Sequence, residues 1–84
     1  MIARIYITLK EGVLDPQGKT VQKSLHSIGF KDVADVRIGK YIEVTLPNSL
    51  NKTEAQKKLK QMCDKMLANT VIENYRFDMM ETGS

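Results

Sequence analysis

The sequence predicts an α+β domain of the ferredoxin-like type, in which an antiparallel sheet carries two helices on one face. Two segments place apolar residues at helical spacing, and four short segments alternate apolar and polar residues as strands do. Their order along the chain is strand, helix, strand, strand, helix, strand, which is the split βαβ arrangement βαββαβ. A chain of 84 residues has room for one such domain, expected over residues 1–80.

The first strand and the first helix follow from the N-terminal third of the chain. Residues 3–10 alternate apolar and polar side chains, which predicts a half-buried strand. Asp15 and Pro16 favour a helix start, because a carboxylate accepts hydrogen bonds from free backbone N–H groups and proline fits the first turn. Gly29 is expected to end this helix. Its apolar stripe consists of Val21, Leu25 and Ile28.

The middle of the chain predicts a hairpin. Residues 34–38 and 42–46 each alternate apolar and polar side chains, and Gly39 and Lys40 lie between them. Glycine readily adopts the positive φ that a tight turn requires. The two segments are therefore predicted to fold back on each other as the second and third strands.

A second helix and a last strand complete the pattern. Asn51 and Glu54 have the spacing of a capping box at the start of the helix. The last strand is expected over Val71–Met79, and residues 81–84 are expected to form a disordered tail. The apolar side of the second helix consists of Ala55, Leu59, Met62, Cys63, Met66 and Leu67.

Composition bounds the setting in which the protein works. Its one cysteine excludes an internal disulfide, which fits a reducing compartment. The sequence has neither a charged and apolar leader nor a long apolar run, so we expect a cytoplasmic protein without a membrane segment. Thirteen Lys and Arg against ten Asp and Glu give a net charge of +3, which is compatible with nucleic acid but equally with ordinary solubility.

The residues give little support to catalysis. His26 is the one histidine and Cys63 the one cysteine, so no cluster with metal-ligand spacing is possible. Cys63 lies in the apolar stripe of the second helix, where a buried structural thiol is expected. Asp32 and Asp35 are interpreted as decoration at a strand edge rather than as an acid and base pair. We therefore predict no catalytic, metal-binding or cofactor-binding residue.

A binding role is the better hypothesis. The helix-free face of the predicted sheet should display Arg4, Tyr6, Thr8, Lys10, Arg37, Tyr41, Glu43, Thr45, Asn74, Arg76 and Asp78. Such a mixture suits a protein interface, which is the preferred interpretation. An RNA-binding domain that stacks bases on Tyr6 and Tyr41 is the alternative, although Glu43 beside them would repel phosphate. A regulatory domain that binds a metabolite between paired protomers is a third possibility.

Three segments together carry a family resemblance. They are residues 14–18 with Val21, residues 36–43, and residues 67–73 with Tyr75. In this order and spacing they resemble the PurS family, the small subunit of bacterial and archaeal phosphoribosylformylglycinamidine (FGAM) synthase. The resemblance extends from Tyr6 to about Phe77, nearly the whole chain.

The resemblance implies a specific role. FGAM synthase converts formylglycinamide ribonucleotide, ATP and glutamine to FGAM, ADP, phosphate and glutamate in purine biosynthesis. A large subunit would use ATP and magnesium, a glutaminase subunit would release ammonia, and the small subunit, without chemistry or a cofactor of its own, would join them and support ammonia transfer. The implied partners are these two subunits and further copies of the chain, as a dimer or a tetramer, rather than nucleic acid or a membrane.

The residues suggested for partner contacts fall in two of the three segments. Gly18 lies inside a predicted helix, where glycine costs up to about 1 kcal/mol relative to alanine, and this indicates a close backbone approach. The sequence leaves open whether the chain is a dimer or a tetramer, which face meets which subunit, and whether ammonia passes near it. The predicted interface residues are Asp15, Pro16, Gln17, Gly18, Arg37, Gly39, Lys40 and Tyr41.

Overall fold

The computed structural model describes residues 1–81. Residues 82–84, to which most of the predicted disordered tail belongs, lie outside the described residues. The α+β class is confirmed, with an antiparallel sheet and two helices. The elements are β1 (Ile2–Leu9), α1 (Pro16–Ser27), β2 (Gly39–Thr45), α2 (Lys52–Met62), a π-helical turn (Cys63–Leu67) that continues α2, and β3 (Glu73–Met80).

The sheet has three strands in the order β2-β1-β3, and β1 is antiparallel to both neighbours. Ile5 of β1 lies opposite Ile42 on one side and Phe77 on the other. Because side chains alternate faces along a strand, Ala3, Ile5 and Ile7 point to the same side, where all three are buried. The central strand therefore supplies the middle of the hydrophobic core, as its alternation predicts.

Helix α2 covers that side of the sheet. The predicted cap is confirmed, since Asn51 Oδ1 accepts a hydrogen bond of 2.8 Å from the backbone N–H of Glu54. Ala55, Leu59 and Cys63, spaced by four residues, are buried against the sheet. The π-helical turn widens the helix by one residue, with the N–H of Ala68 bonded to the carbonyl of Cys63.

Met66 is the exception in the predicted apolar side of α2. It lies in the π-helical turn and its surface is 84% exposed. The wider turn changes the angle between successive side chains, so the period that holds up to Cys63 no longer places Met66 over the sheet. Its assignment to the buried side was wrong.

The predicted hairpin does not form. Residues 33–38 make no strand, and Gly39 begins β2 without a positive φ. The reason is geometric: α1 carries the chain about 18 Å away from the sheet, and six extended residues, about 20 Å, are needed to bring it back. This return segment is held along α1 by bonds from Gln22 Nε2 to Ala34 O at 3.0 Å and between His26 Nε2 and Val33 O at 2.8 Å. The order is therefore βαβαβ rather than βαββαβ.

The molecule divides into a body and an arm. The body comprises β1, β2, β3, α2 and the π-helical turn, and the arm comprises residues 10–38 with α1 and the return segment. No residue of α1 belongs to the hydrophobic core, so of the two helices predicted on one face α2 alone packs on the sheet. Between residues 8 and 45 the only buried residues are Asp15 and Gly18.

The arm gives the molecule an extended shape. Its dimensions are 51 × 30 × 14 Å and its radius of gyration is 16.6 Å. A compact chain of this length has a radius of gyration of about 12 Å. Within residues 1–81, no helix has both the length and the apolar character that crossing a membrane requires.

Candidate interaction surfaces

The neck is where the arm joins the body, at residues 15–18 and 36–40. The Asp15 carboxylate stands at its centre, 7% exposed, and caps α1 by accepting a hydrogen bond of 2.9 Å from Gly18 N on Oδ1. Its Oδ2 accepts a second hydrogen bond of 2.8 Å from the backbone N–H of Ile38, the residue directly before β2. The bonds from Gly18 and Ile38, with the charge of Arg37, lower the pKa of Asp15. One carboxylate thus fixes the start of α1 against the start of β2.

Two glycines allow the neck to close. A Cβ atom on Gly18 would overlap the carbonyl oxygen of Val36, and one on Gly39 would overlap the carbonyl oxygen of Ile7. The close approach predicted at Gly18 is confirmed, and the approaching backbone belongs to the same chain. At Gly39, glycine is required because a side chain would collide with the backbone of Ile7. A turn does not require it, because the described glycines with positive φ are Gly12 and Gly29.

The two cations predicted for partner contacts have partners within the chain. Arg37 Nη2 donates to the carbonyls of Leu9 at 2.6 Å and Lys10 at 3.1 Å, which ties the return segment to the end of β1. Lys40 Nζ lies 3.6 Å from Glu73 Oε2. Glu73, which also accepts a 2.7 Å bond from the N–H of Asn69, was not predicted as a site residue, although its place on the apolar face of β3 was a signal for it.

Five of the eight predicted interface residues meet at one cavity of about 370 Å³ beside the neck. Gly18 lies next to it beneath Val36, and Arg37 lines a separate cavity of about 300 Å³ on the other side of the neck. Tyr41 is not part of this group. The first cavity is lined by Ile7, Leu9, Asp15, Pro16, Gln17, Ile38, Gly39, Lys40 and Glu73.

Tyr41 lies on the helix-free face of the sheet. The strand register places Tyr6 opposite both Tyr41 and Arg76. The two tyrosine rings are 5.3 Å apart at an angle of 44°, and the Arg76 guanidinium lies 4.1 Å above the Tyr6 ring. Tyr41 also donates a 3.0 Å hydrogen bond to Glu43, and its pKa is raised by desolvation and by that carboxylate. Tyr6, Tyr41, Glu43 and Arg76 therefore form a polar surface on which neighbouring side chains contact one another.

On the same face of the sheet, Arg4 lies two residues before Tyr6 and is paired with an acid. Arg4 Nε donates a 2.9 Å hydrogen bond to Asp78 Oδ1, and this bond raises the pKa of Arg4. Arg4 also lies opposite Glu43 in the sheet. On this face Arg4 is therefore neutralised by an acid and Arg76 lies over an aromatic ring, so the face does not present the row of uncompensated cations that a nucleic-acid backbone favours. This arrangement favours the protein interface over the RNA alternative.

A third polar cluster joins the π-helical turn to β3. Asp64 accepts hydrogen bonds from Tyr75 at 2.7 Å and from Lys60 at 3.2 Å. These bonds lower the pKa of Asp64, with the larger effect from Tyr75, whose own pKa is raised. The pair of Lys60 and Asp64 has ordinary i,i+4 helical spacing, but the contact with Tyr75 joins the π-helical turn to a strand and could not be found from spacing along a helix.

Cys63 and His26, the one cysteine and the one histidine, both have structural roles. Cys63 is buried as predicted, and desolvation raises the pKa of its thiol, which keeps it protonated and unreactive. His26 holds the return segment through Val33. Within residues 1–81, no three His, Cys, Asp or Glu side chains are grouped so as to hold a metal ion.

Comparison with known proteins identifies one family over nearly the full chain. Residues 2–81 match the family model PurS, described as phosphoribosylformylglycinamidine (FGAM) synthase. The phosphoribosylformylglycinamidine synthase subunit PurS of Bacillus subtilis is 51% identical over 78 residues, which cover 93% of this chain and 90% of that protein.

Solved structures agree with the sequence comparison. The crystal structure of Methanocaldococcus jannaschii PurS, one of the subunits of formylglycinamide ribonucleotide amidotransferase, matches with a TM-score of 0.85 and 34% identity, and covers 98% of each chain. A chain in the structure of PurLQS from Thermotoga maritima matches with a TM-score of 0.70 and 26% identity, covering 93% of this chain and 96% of that chain.

Proposed function

The chain belongs to the PurS family of FGAM synthase subunits, and from this membership we propose how it serves the enzyme. It is the small subunit of FGAM synthase in purine biosynthesis. It performs no chemical step itself. It joins the large synthetase subunit to the glutaminase subunit, so that ammonia released from glutamine is transferred to formylglycinamide ribonucleotide without loss to solvent.

The observation that carries this proposal is the match over residues 2–81 to one family of enzyme subunits. The match to a chain of the Thermotoga maritima PurLQS structure supports a role inside an assembly of several subunits. The side chains support a binding role too, because the cysteine and the histidine are committed to the core and to the arm.

The neck is the proposed contact site for the larger subunits. Pro16, Gln17 and Lys40 are exposed at the rim of its cavity, where a partner can reach them. Asp15 and Gly18 are buried beneath them and shape this rim rather than touch a partner.

Other predicted contact residues act from different positions. Arg37 is exposed while it holds the end of β1 through backbone carbonyls, so a partner that binds here meets a fixed guanidinium. Gly39 is constrained by its contact with Ile7. Tyr41 offers half of its surface on the helix-free face, which gives the subunit a second, separate surface for assembly.

The proposal extends to cofactors, self-association and location. ATP and magnesium belong to the large subunit, and this chain binds neither. Copies of the chain associate with one another as a dimer or a tetramer. The complex works in the cytoplasm, where the reduced, buried Cys63 fits the conditions.

Reconstitution of the enzyme tests the proposal. The large and glutaminase subunits are assayed for FGAM formation with glutamine or with a high concentration of ammonium chloride, each with and without this chain. We expect glutamine-dependent synthesis to require the chain and ammonium-dependent synthesis to need it far less, because free ammonia does not have to be transferred between subunits. Equal glutamine-dependent rates with and without the chain would contradict the proposal.

A further inference from the structure

We propose that the helix-free face of the sheet carries a binding site for one small carboxylate, formed by Tyr6, Thr8, Asn74 and Arg76. These four residues line a cavity of about 330 Å³ between β1 and β3. The cavity shares no lining residue with the two cavities at the neck. The site is therefore distinct from the contact site proposed for the larger subunits, and the inference goes beyond the proposed function.

The strand register brings the four side chains together. Thr8 lies directly opposite Asn74, and Tyr6 lies directly opposite Arg76. Directly opposite side chains in an antiparallel pair have Cβ atoms about 5 Å apart, and alternate residues of one strand are about 7 Å apart. The four side chains therefore stand at the corners of a small rectangle that the two oxygens of an acid group can enter.

Each of these side chains offers a hydrogen-bond donor that the chain does not use. The donors are the phenol hydroxyl of Tyr6, the hydroxyl of Thr8, the amide of Asn74 and the guanidinium of Arg76. In the part of the chain that the structure describes, residues 1–81, none of these groups has a hydrogen-bond or ion-pair partner. Four free donors thus converge on one cavity.

Arg76 differs from the other two arginines of the chain in having no acceptor. Arg4 is paired with Asp78 at 2.9 Å, and Arg37 donates to two backbone carbonyls. Among residues 1–81, no carboxylate or carbonyl oxygen accepts a hydrogen bond from the Arg76 guanidinium. A guanidinium carries five donors in a planar fork that matches a carboxylate with two parallel hydrogen bonds. Arg76 is therefore the anchor of the site.

The side chain of Arg76 is held in place before a ligand arrives. Its guanidinium lies 4.1 Å above the centre of the Tyr6 ring, and that ring lies 5.3 Å from the ring of Tyr41. Arginine stacks well on aromatic faces, and this contact does not use its N–H groups as hydrogen-bond donors to oxygen. A side chain that is already ordered loses less conformational freedom when it binds, so stacking favours binding.

Charge and size indicate a carboxylate as the ligand. Within residues 1–81, no acidic side chain lines the cavity, and Arg76 supplies one positive charge that a single carboxylate balances. A carboxylate has about four lone-pair sites, enough for the guanidinium fork together with the hydroxyl and amide donors. The cavity is near the lower end of the roughly 300–1,000 Å³ range of ligand sites, so it suits a molecule of amino-acid size.

The test is an NMR titration of the full chain, labelled with ¹⁵N, with sodium glutamate at constant ionic strength. We expect saturable shifts of the backbone N–H signals of Thr8 and Asn74 and of the Arg76 Nε–H signal. The dissociation constant should be about 1–10 mM, as fits one exposed charge-assisted pair with a few neutral donors. The Nε–H signal of Arg4, which is already bonded to Asp78, should not shift and is an internal control.

Three variants locate the binding. Arg76→Gln should raise the dissociation constant at least about 10-fold, and Thr8→Val, which keeps the shape but loses the hydroxyl, about 3-fold. Lys58→Gln makes the same change in charge as Arg76→Gln at an exposed residue of α2, and should bind glutamate as the wild type does. The dispersion of the spectrum verifies folding. Should Arg76→Gln unfold, Thr8→Val combined with Asn74→Leu provides the test, with a loss of at least about 10-fold.

Several outcomes would overturn the inference. They are the absence of saturable shifts up to about 50 mM glutamate, shifts that sodium chloride reproduces, and equal binding by Arg76→Gln and the wild type. Tighter binding of inorganic phosphate than of glutamate would overturn the assignment of the ligand as a carboxylate. Because the titration uses this chain alone, its result is independent of the reconstituted assay that tests the proposed function.

Discussion

The body and the arm use similar amino-acid patterns but are stabilised in different ways. In the body, Ala3, Ile5 and Ile7 pack against Leu59 and Cys63, and all of them are buried. Of residues 10–38, which form the arm, only Asp15 and Gly18 are buried, and both lie at the neck. The arm has a regular helix without a core to hold it.

This difference shows where each region obtains its stability. The body is held by apolar contacts within one chain, which are insensitive to protein concentration. The arm is held to the body by the Asp15 and Arg37 hydrogen bonds, and no residue of α1 belongs to the hydrophobic core. If this contrast is correct, substitutions in the core of the body should affect stability most and substitutions on the helix-free face least.

The core of the body should be the most sensitive place. Leu59→Ala removes a fully buried side chain from α2 and should lower the free energy of unfolding by about 3 kcal/mol. The matched change in the arm, Leu14→Ala, removes a largely exposed side chain and should change it by less than about 0.5 kcal/mol. Urea unfolding at one fixed protein concentration measures both. Similar losses from the two variants would contradict the division into body and arm.

The neck should respond to a single methyl group. Gly18→Ala would usually stabilise a helix, but here the new Cβ meets the Val36 carbonyl, so we expect a loss of about 1–3 kcal/mol. Ser24→Ala in the same helix serves as the control and should stabilise by about 0.5 kcal/mol. Thermal unfolding compares the two. A stabilised Gly18→Ala variant would show that the return segment does not lie against α1.

Acid should loosen the neck through Asp15. The folded-state pKa of this carboxyl is lowered from the ordinary value of 3.8, so its stabilising effect is present above that value and is lost as the pH falls below it. In Asp15→Asn the amide can accept from only one of the two backbone donors, so the variant should be less stable near neutral pH and lose less between pH 4 and lower pH. Asp35→Asn, at an exposed residue, is the control.

Unfolding is followed by urea titration at a series of pH values between about 6 and 2. Parallel pH profiles for the wild type and Asp15→Asn would contradict the role of this carboxylate. A profile altered equally by Asp35→Asn would indicate a general charge effect in place of the specific bonds to Gly18 and Ile38.

The helix-free face should affect stability least. Arg76→Met removes the guanidinium above Tyr6 and should lower the free energy of unfolding by about 0.5 kcal/mol. Lys58→Met on α2 makes the same change in charge without an aromatic partner and should have no measurable effect. A larger loss for Arg76→Met, comparable with that for Gly18→Ala, would indicate that this face stabilises the fold and is not reserved for partners.

The sequence predicted the body better than the arm for a physical reason. The alternation of β1 and the cap at Asn51 each report contacts that form locally or with an adjacent strand, so pattern and structure agree. The π-helical turn could not be predicted, because the extra residue that exposes Met66 leaves no trace in the apolar spacing.

In the arm, the sequence predicts a strand at residues 34–38 that pairs in a hairpin, and this pairing does not occur. Val36 and Ile38 alternate with polar residues, which predicts a strand, yet the length of α1 forces this segment to run back along the helix. Of the candidate site, Asp15 and Gly18 were found through helix-start and glycine rules, although their partners, Ile38 and Val36, are fixed only by the three-dimensional path. Glu73 was not proposed, because its contact with Lys40 joins distant parts of the chain.

The central claim is that an apolar core holds the body, whereas hydrogen bonds at the neck hold the arm. Amide hydrogen exchange near neutral pH, compared between the wild type and Asp15→Asn, tests it most directly. We expect the variant to lose more protection in α1 than in α2 and β1. If α1 kept its wild-type protection in the variant, or if α1, α2 and β1 lost protection equally, the claim would be contradicted.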